Sequence, residues 1–511
     1  MSPLIKCVDK TLADSRADVA VGFVWQDAGL APTTKKLDTA AGAGASKLFK
    51  NGTFLGKEGE SLLLPLGRDA KAKYLLLLGL GKQSDAKLNT IRNAGGNLIQ
   101  AATRYRFTKA SLQLTDFHFT GASDQDDLAQ SAQAFVEGIL LRDYEFADYK
   151  TDKEAVHHMT EISLHGDKGT KAAIERGAGT GETIGNAANF SRSLVNHPPN
   201  FKTPTYLAER AQEMAKASDG TMTCKVLDRA QCAKLGMGSF LSVAQGTLTE
   251  PKFIVLEYKP KGKKDNLPRV ALVGKAITFD TGGISLKPAA GMESMKYDMA
   301  GGAGVLGAMK AISELKPDRH VIGIVPATDN MPSGNALHPS DIVRSQSGKS
   351  IEIISTDAEG RLILADGLEY AQQFKPDACI DMATLTGAVV IALGSVNAGL
   401  MTNNQHLGRQ LNRAGRVTNE KLWELPLDKE YGEQIKTPVA DMKNSGGREA
   451  GSITAGMFLQ NFVGDMAWAH LDIAGMAWEE KGKAYMEKGA TGFGVRLLTQ
   501  FVLDFEKPAA G

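Results

Sequence analysis

Residues 270–287 read VALVGKAITFDTGGISLK, and this stretch decides the architecture. Val270 to Val273 is a short run of branched apolar side chains, as expected of a strand buried on both faces. A loop of small and polar residues follows. Gly301 to Leu315 then predicts a helix, and His320 to Ala327 a second strand. Strand, loop, helix, strand is the repeating unit of a parallel sheet. The pattern continues downstream. Ile351 to Ile354 predicts a strand, Leu362 to Phe374 a helix, and Cys379 to Leu385 and Ala467 to Ile473 two further strands. In sheets of this kind, ligands bind beyond the carboxyl ends of the strands. Chemistry is therefore expected in the loops after Val273 and Ile354.

Upstream, shorter elements alternate in the same manner. Ala20 to Trp25, Ser61 to Pro65, Tyr74 to Gly79 and Ser111 to Leu114 predict strands, while Leu88 to Arg104 and Asp127 to Arg142 predict helices. A long helical run, Thr170 to Val195, ends at Asn196-His197-Pro198-Pro199-Asn200, where two prolines stop it. The expected fold class is α/β with two domains. Residues 1–168 form a smaller N-terminal α/β domain. Residues 169–511, including the linker helix 170–195, form a larger C-terminal domain with a mainly parallel central sheet flanked by helices.

Composition sets outer bounds. The 511 residues are 42% hydrophobic and 23% charged, with a formal net charge of +1, as in soluble globular proteins. No molecule-wide field recruits nucleic acid or an anionic membrane. The four cysteines, Cys7, Cys224, Cys232 and Cys379, form no CxxC pair and are expected to be reduced thiols. Lys6, Asp9, Lys10, Asp14 and Asp18 make the N-terminus unlike a secretory signal, and the apolar run Tyr74 to Leu80 is too short to span a bilayer. A cytoplasmic location without membrane attachment is expected.

Two blocks carry the chemistry. The first runs from Lys275 through Asp280 and Lys287 to Asp298. The second, STDAEGRL at 355–362, holds Asp357, Glu359 and Arg361. Acids at strand ends commonly cap helices or face solvent. Four of them in two glycine-rich blocks repel one another unless cations intervene. If the backbone is extended, Asp357, Glu359 and Arg361 share a face. Oxygen-rich donor sets suit Mn²⁺, Mg²⁺ and, in part, Zn²⁺. Two such ions roughly 3.5–4 Å apart can activate water and polarise a carbonyl. The sequence has no HExxH, GxSxG or GxxxxGK[ST]. His157 and His158, being adjacent, are poor joint ligands and are expected at the surface. The run Gly302-Ala303-Gly304-Val305-Leu306-Gly307 matches GxGxxG, but Asp298 lies just upstream, where a pyrophosphate would be repelled. Tight helix packing is the better reading of those glycines.

With these residues in view, the chain resembles the leucyl aminopeptidase family, the aminopeptidase A-like cytosol aminopeptidases of bacteria among them. Ser355 to Leu362 is similar to the family signature NTDAEGRL, with Ser355 in place of its Asn. Gly274 to Asp298 resembles the other signature block, including TFDTGG, KP and MKYDM, with Ala276 where Gly is usual. Asn196 to Pro204, Thr384 to Gly387 and His470 to Gly475 are also similar to family segments. The resemblance is specific over residues 190–500 and looser over the first 170.

The resemblance implies a metal-dependent leucyl aminopeptidase that removes N-terminal Leu, Met and other apolar residues from peptides. It implies two divalent metal ions, Mn²⁺ or Zn²⁺, and a bicarbonate ion. Lys275, Asp280, Asp298 and Glu359 would hold the tighter metal. Asp280, Asp357 and Glu359, with the Asp357 carbonyl, would hold the exchangeable one. A metal-bridging hydroxide would attack the carbonyl. Lys287 and Arg361 would be the catalytic residues, with Arg361 holding the bicarbonate, since a guanidinium is itself no base. Met295, Thr384, Gly387 and Ala474 would line the substrate pocket. Family members assemble as hexamers, so a homohexamer is expected. Two other readings stand beside this one. A carboxylate-bound dimetal phosphohydrolase could use the same acids. DNA binding could be a second role of the N-terminal domain, where Lys47, Lys50, Lys71, Lys73 and Lys82 are interspersed with acids.

Overall fold

The computed structural model describes residues 2–10, 12, 15–67, 70–117, 125–152, 157–262 and 266–507. The chain divides into two compact units: Met1–Asn189 with Lys481–Lys488, and Phe190–Glu480 with Gly489–Gly511. The helix Lys171–Asn196 carries the chain from one to the other.

The first unit contains a seven-stranded sheet in the order Leu4–Val8, Glu161–His165, Lys109–Gln113, Val19–Trp25, Tyr74–Gly79, Ser61–Pro65, with Gly29–Leu30 paired to Val19–Trp25. Every residue of Val19–Trp25 is buried, which accounts for its unbroken apolar run. The helices Leu88–Tyr105 and Gln125–Asp143 pack on each other, and a buried Arg92–Glu137 ion pair at 2.9 Å links them. Expected strands and helices here lie within a few residues of those observed.

The second unit is built on a nine-stranded sheet. Its path runs Leu422–Glu424, Ala398–Thr402, Trp468–Asp472, Ala378–Ala383, Arg269–Gly274, His320–Asn330, Lys252–Tyr258, Met222–Leu227, and Ala276–Asp280 pairs with His320–Asn330. The four central strands are mutually parallel, and the antiparallel pairings lie toward the edges. Alternation along Arg269–Gly274 divides the core. Val270 and Leu272 pack with Val305 and Leu306 of the helix Ala300–Leu315. Ala271 and Val273 pack with Leu364 and Leu368 of the helix Glu359–Gln372. Helices thus cover both faces, as a mainly parallel sheet requires.

Two expectations change. The predicted strand Ile351–Ile354 is not part of the main sheet: Ser350–Glu352 joins a three-stranded sheet with Ile342–Arg344 and Met442–Lys443. The helix predicted from Leu362 already begins at Glu359. Glu359 and Arg361 are therefore helical, and the shared face of an extended backbone does not apply to them.

The strand order reverses around Arg269–Gly274, with the next parallel strand, His320–Asn330, on one side and Ala378–Ala383 on the other. Such a switch point opens a crevice at the carboxyl ends. The GxGxxG run lies in the helix that starts there. A Cβ at Gly302 would lie 2.8 Å from the Ala276 Cβ, and one at Gly304 would lie 2.3 Å from Met382 Cε. These glycines allow a helix to press on the sheet.

Candidate active site

The crevice collects the acids. Lys275 directly follows the strand Arg269–Gly274, and Asp280 ends the strand Ala276–Asp280. Asp298 closes the 3₁₀ turn Met292–Tyr297. Glu359 opens its helix, where the N-terminal dipole favours a negative charge. One carboxylate oxygen from each of Asp280, Asp357 and Glu359 lies within 4.8 Å of the others.

Two lysines thread this cluster. Lys275 Nζ is 2.8 Å from Asp298 Oδ2 and 2.8 Å from Glu359 Oε1, and donates to Thr384 O at 3.0 Å. Lys287 Nζ is 2.8 Å from Asp280 Oδ2 and also pairs with Asp357 Oδ1. Each ammonium therefore bridges two carboxylates. Burial opposes the charge on Lys275, but Asp298, Glu359 and Asp280 outweigh it and hold its pKa above the ordinary lysine value. Lys287 is shifted in the same direction, by Asp280, Glu359 and Asp357 against its burial. Burial and the neighbouring acids push the Asp280 carboxyl up, and burial pushes Asp298 up further. Glu359 goes the other way, because Lys275 and Lys287 more than offset its burial.

The donor set suits a cation. Glu359 Oε2 is buried and, among the described residues, accepts no hydrogen bond. Buried carboxylate oxygens without donors are costly unless a cation satisfies them. Oxygen atoms from three separate segments, close together and partly unsatisfied, fit hard divalent ions.

Arg361 is buried, and its Nη1 donates to Asn444 O at 2.6 Å while its Nε has no partner among the described residues. Burial lowers its pKa to about 10, so it stays protonated at neutral pH. The expected pocket residues lie on segments adjoining the acids. Met295 sits in the turn that ends at Asp298. Thr384 is buried and donates its hydroxyl to Asp298 Oδ1 at 2.7 Å. Gly387 is exposed at the start of the helix Gly387–Leu393. Ala474 donates its N–H to Asp472 Oδ1, which also accepts from Leu385 N and Thr386 N. His157 and His158 are half-buried rather than exposed and bond to different partners, Phe107 O and Asp143.

Three residues that the sequence had not marked hold this arrangement. Asp472 ties the 384–387 loop to Ala474. Thr356 donates its hydroxyl to Gly282 O and accepts from Ser285 N, joining the two acidic blocks. Asn444 is fully buried. Its Oδ1 accepts from Ile354 N and Ser355 N, and its Nδ2 donates to Ser355 O at 2.7 Å. The available signal was weak: polar residues beside glycines or at the end of an apolar run.

Similarity to known proteins places the chain among the peptidases, a class of hydrolases. Residues 189–499 match the family model described as cytosol aminopeptidase family, catalytic domain, and residues 20–153 match that of the N-terminal domain. The chain therefore belongs to the cytosol aminopeptidase family. It is 47% identical over 470 residues to a probable cytosol aminopeptidase of Geotalea uraniireducens, covering 91% of this chain and 92% of that protein. It is 44% identical over 508 residues to the cytosol aminopeptidase of Pseudomonas aeruginosa strain PAO1, covering 99% and 100%. Among solved structures, a mutant of tomato leucine aminopeptidase superposes with a TM-score of 0.88 at 34% identity, covering 98% of this chain and 97% of that one. The bottromycin maturation enzyme BotP in complex with Mn superposes with a TM-score of 0.82 at 31% identity, covering 95% and 99%. Among the described residues, no helix is long and apolar enough to cross a membrane.

Proposed function

We propose that this protein is a dimetal leucyl aminopeptidase whose reaction takes place between Lys275 and Arg361. The observation that carries the reading is the convergence of Asp280, Asp357 and Glu359, with Lys275 and Asp298 beside them. Asp280, Asp298 and Glu359, with Lys275 as the neutral amine once a neighbouring divalent charge displaces its proton, would hold one divalent ion, and Asp280, Asp357 and Glu359 the other, with Mn²⁺ or Zn²⁺ as the ions. Bound there, the pair supplies Lewis acidity and an activated water.

The chain's own groups do the rest. Lys287 is 22% exposed, the more accessible of the two lysines, and can donate a charge-assisted hydrogen bond to an oxygen that gains negative charge. Its pairing with Asp280 and Asp357 keeps the ammonium at the centre. Arg361 offers its unpartnered Nε to a bicarbonate, whose chemistry there would be to accept and return a proton. The acids favour a substrate with a free α-amino group, which an internal residue lacks. Met295, Thr384, Gly387 and Ala474 would receive the first side chain, with Leu and Met preferred. Catalysis is assigned to residues 169–511, and residues 1–168 to a non-catalytic role within a homohexamer.

Metal analysis paired with Leu-peptide hydrolysis, before and after chelation, tests the reading. Loss of activity with the metal, and recovery when Mn²⁺ is returned, is expected. Activity that survives complete metal removal would defeat it. A phosphomonoester assay run in parallel separates it from a phosphohydrolase.

A further inference from the structure

The strand His320–Asn330 ends on a residue that touches both acidic blocks. Asn330 is 4% exposed. Its Nδ2 donates to Asp280 Oδ1 at 2.8 Å and to Thr356 O at 3.0 Å. Both partners are acceptors, so the amide nitrogen must face them, and both of its hydrogens are used. The main chain is held as well: Asn330 O accepts from Thr281 N at 3.1 Å and from Thr281 Oγ at 2.8 Å.

The consequence is geometric. Asp280 Oδ1 is occupied by Asn330 and by Gly282 N at 2.9 Å. Oδ2 is left facing the cluster, where Lys287 meets it. Thr356 immediately precedes Asp357, and its carbonyl is held by the same amide group that holds Asp280. One side chain thus fixes both the rotation of one acid and the position of the segment that leads into Asp357 and the helix start at Glu359. Hydrogen-bond partners behind a metal's ligands set ligand orientation, and losing one weakens binding by about 10–100-fold.

We propose that Asn330 is a positioning residue for the metal centre, setting the orientation of Asp280 relative to Asp357 and Glu359. It touches no reacting atom. The proposal rests on the dimetal reading given above. A purely structural asparagine would lower stability and leave metal affinity alone, and this difference makes the role testable.

The full-length protein, stripped of metal, is titrated with Mn²⁺ by calorimetry as wild type and as Asn330→Ala. Thermal unfolding of the stripped proteins is followed alongside, and hydrolysis is measured at limiting and at saturating Mn²⁺. Mn²⁺ affinity is expected to fall about 10–100-fold in the variant, with most of the lost kcat recovered at saturating Mn²⁺. Wild-type affinity in a folded variant overturns the proposal. A wild type that takes up no Mn²⁺ overturns the dimetal reading instead. Asn330→Ser, too short to reach both acceptors, replaces Asn330→Ala if the latter does not fold, and is read in the same way. If neither variant folds, Asn330 serves the whole fold and the specific role is refuted.

Discussion

Gly360 faces the end of the Lys275 side chain so closely that a Cβ at position 360 would lie 2.7 Å from Cδ, Cε and Nζ of that lysine. The helix that begins at Glu359 can press against Lys275 only because its second residue has no side chain. Gly360→Ala should displace Lys275 from Asp298 and Glu359. The expected result is a folded protein with reduced metal content and at least a tenfold loss of kcat. Normal metal content and turnover in this variant would show that the lysine has room to shift. The added methyl group itself suits a helix better than glycine does, so helix propensity would not explain a loss.

Lys287 and Arg361 are expected to act on the reaction rather than on the ions. Replacing either with Ala should lower kcat by about 10²–10³-fold, the range seen when a single preorganised donor is removed. Metal content should stay near normal. Rates like those of the wild type in both variants would sink the two assignments.

Asn444→Ala removes a buried amide that serves Ile354 N, Ser355 N and Ser355 O. Leaving such groups unpaired costs about 1–3 kcal/mol, which urea denaturation would measure. Arg361 leans on the main-chain oxygen of the same residue. Turnover should therefore fall in step with stability. A variant that loses stability and keeps full turnover would mean that Arg361 is held by other contacts.

Lys202 gives a pH signature. It is fully buried and donates to Val195 O and Lys296 O, and burial together with the Lys296 ammonium lowers its pKa to about 7. In the unfolded chain a lysine titrates near about 10.4. Below about pH 7 both states hold the proton and the residue adds no pH dependence. Between about pH 7 and 10 the unfolded chain binds more protons, so folding stability rises with pH. Lys202→Met should abolish that rise. Chemical denaturation of both proteins at about pH 6 and about pH 9 compares the slopes, and identical slopes would rule out the assignment.

The expected elements of the central sheet were legible because they are short, largely apolar runs bounded by loop residues. Val270, Ala271, Leu272 and Val273 are all apolar because both faces are covered. The clustered acids were legible because carboxylates of like sign are costly together without a reason. Other features leave a weaker signal, for several reasons. Met222–Leu227 is an antiparallel edge strand, with the mixed composition that an edge allows, whereas its neighbour Lys252–Tyr258 is nearly as apolar and buried as the central strands. Asn330, Thr356 and Asn444 act through two or three hydrogen bonds to backbone or to an acid, and in a linear sequence such residues look like any loop polar. The helical start at Glu359 also escaped, because the turn before it is imposed by contacts of Ser355 and Thr356 with distant segments.

The ammonium groups of Lys275 and Lys287 belong to the polypeptide, so the acid cluster brings its counter-charge with it when the chain folds. Manufacture of the fold and its outfitting with ions can then be separate events. A folded stock of the protein could be filled by whichever divalent ion the surroundings supply, and its working composition would follow that supply and not the moment of synthesis.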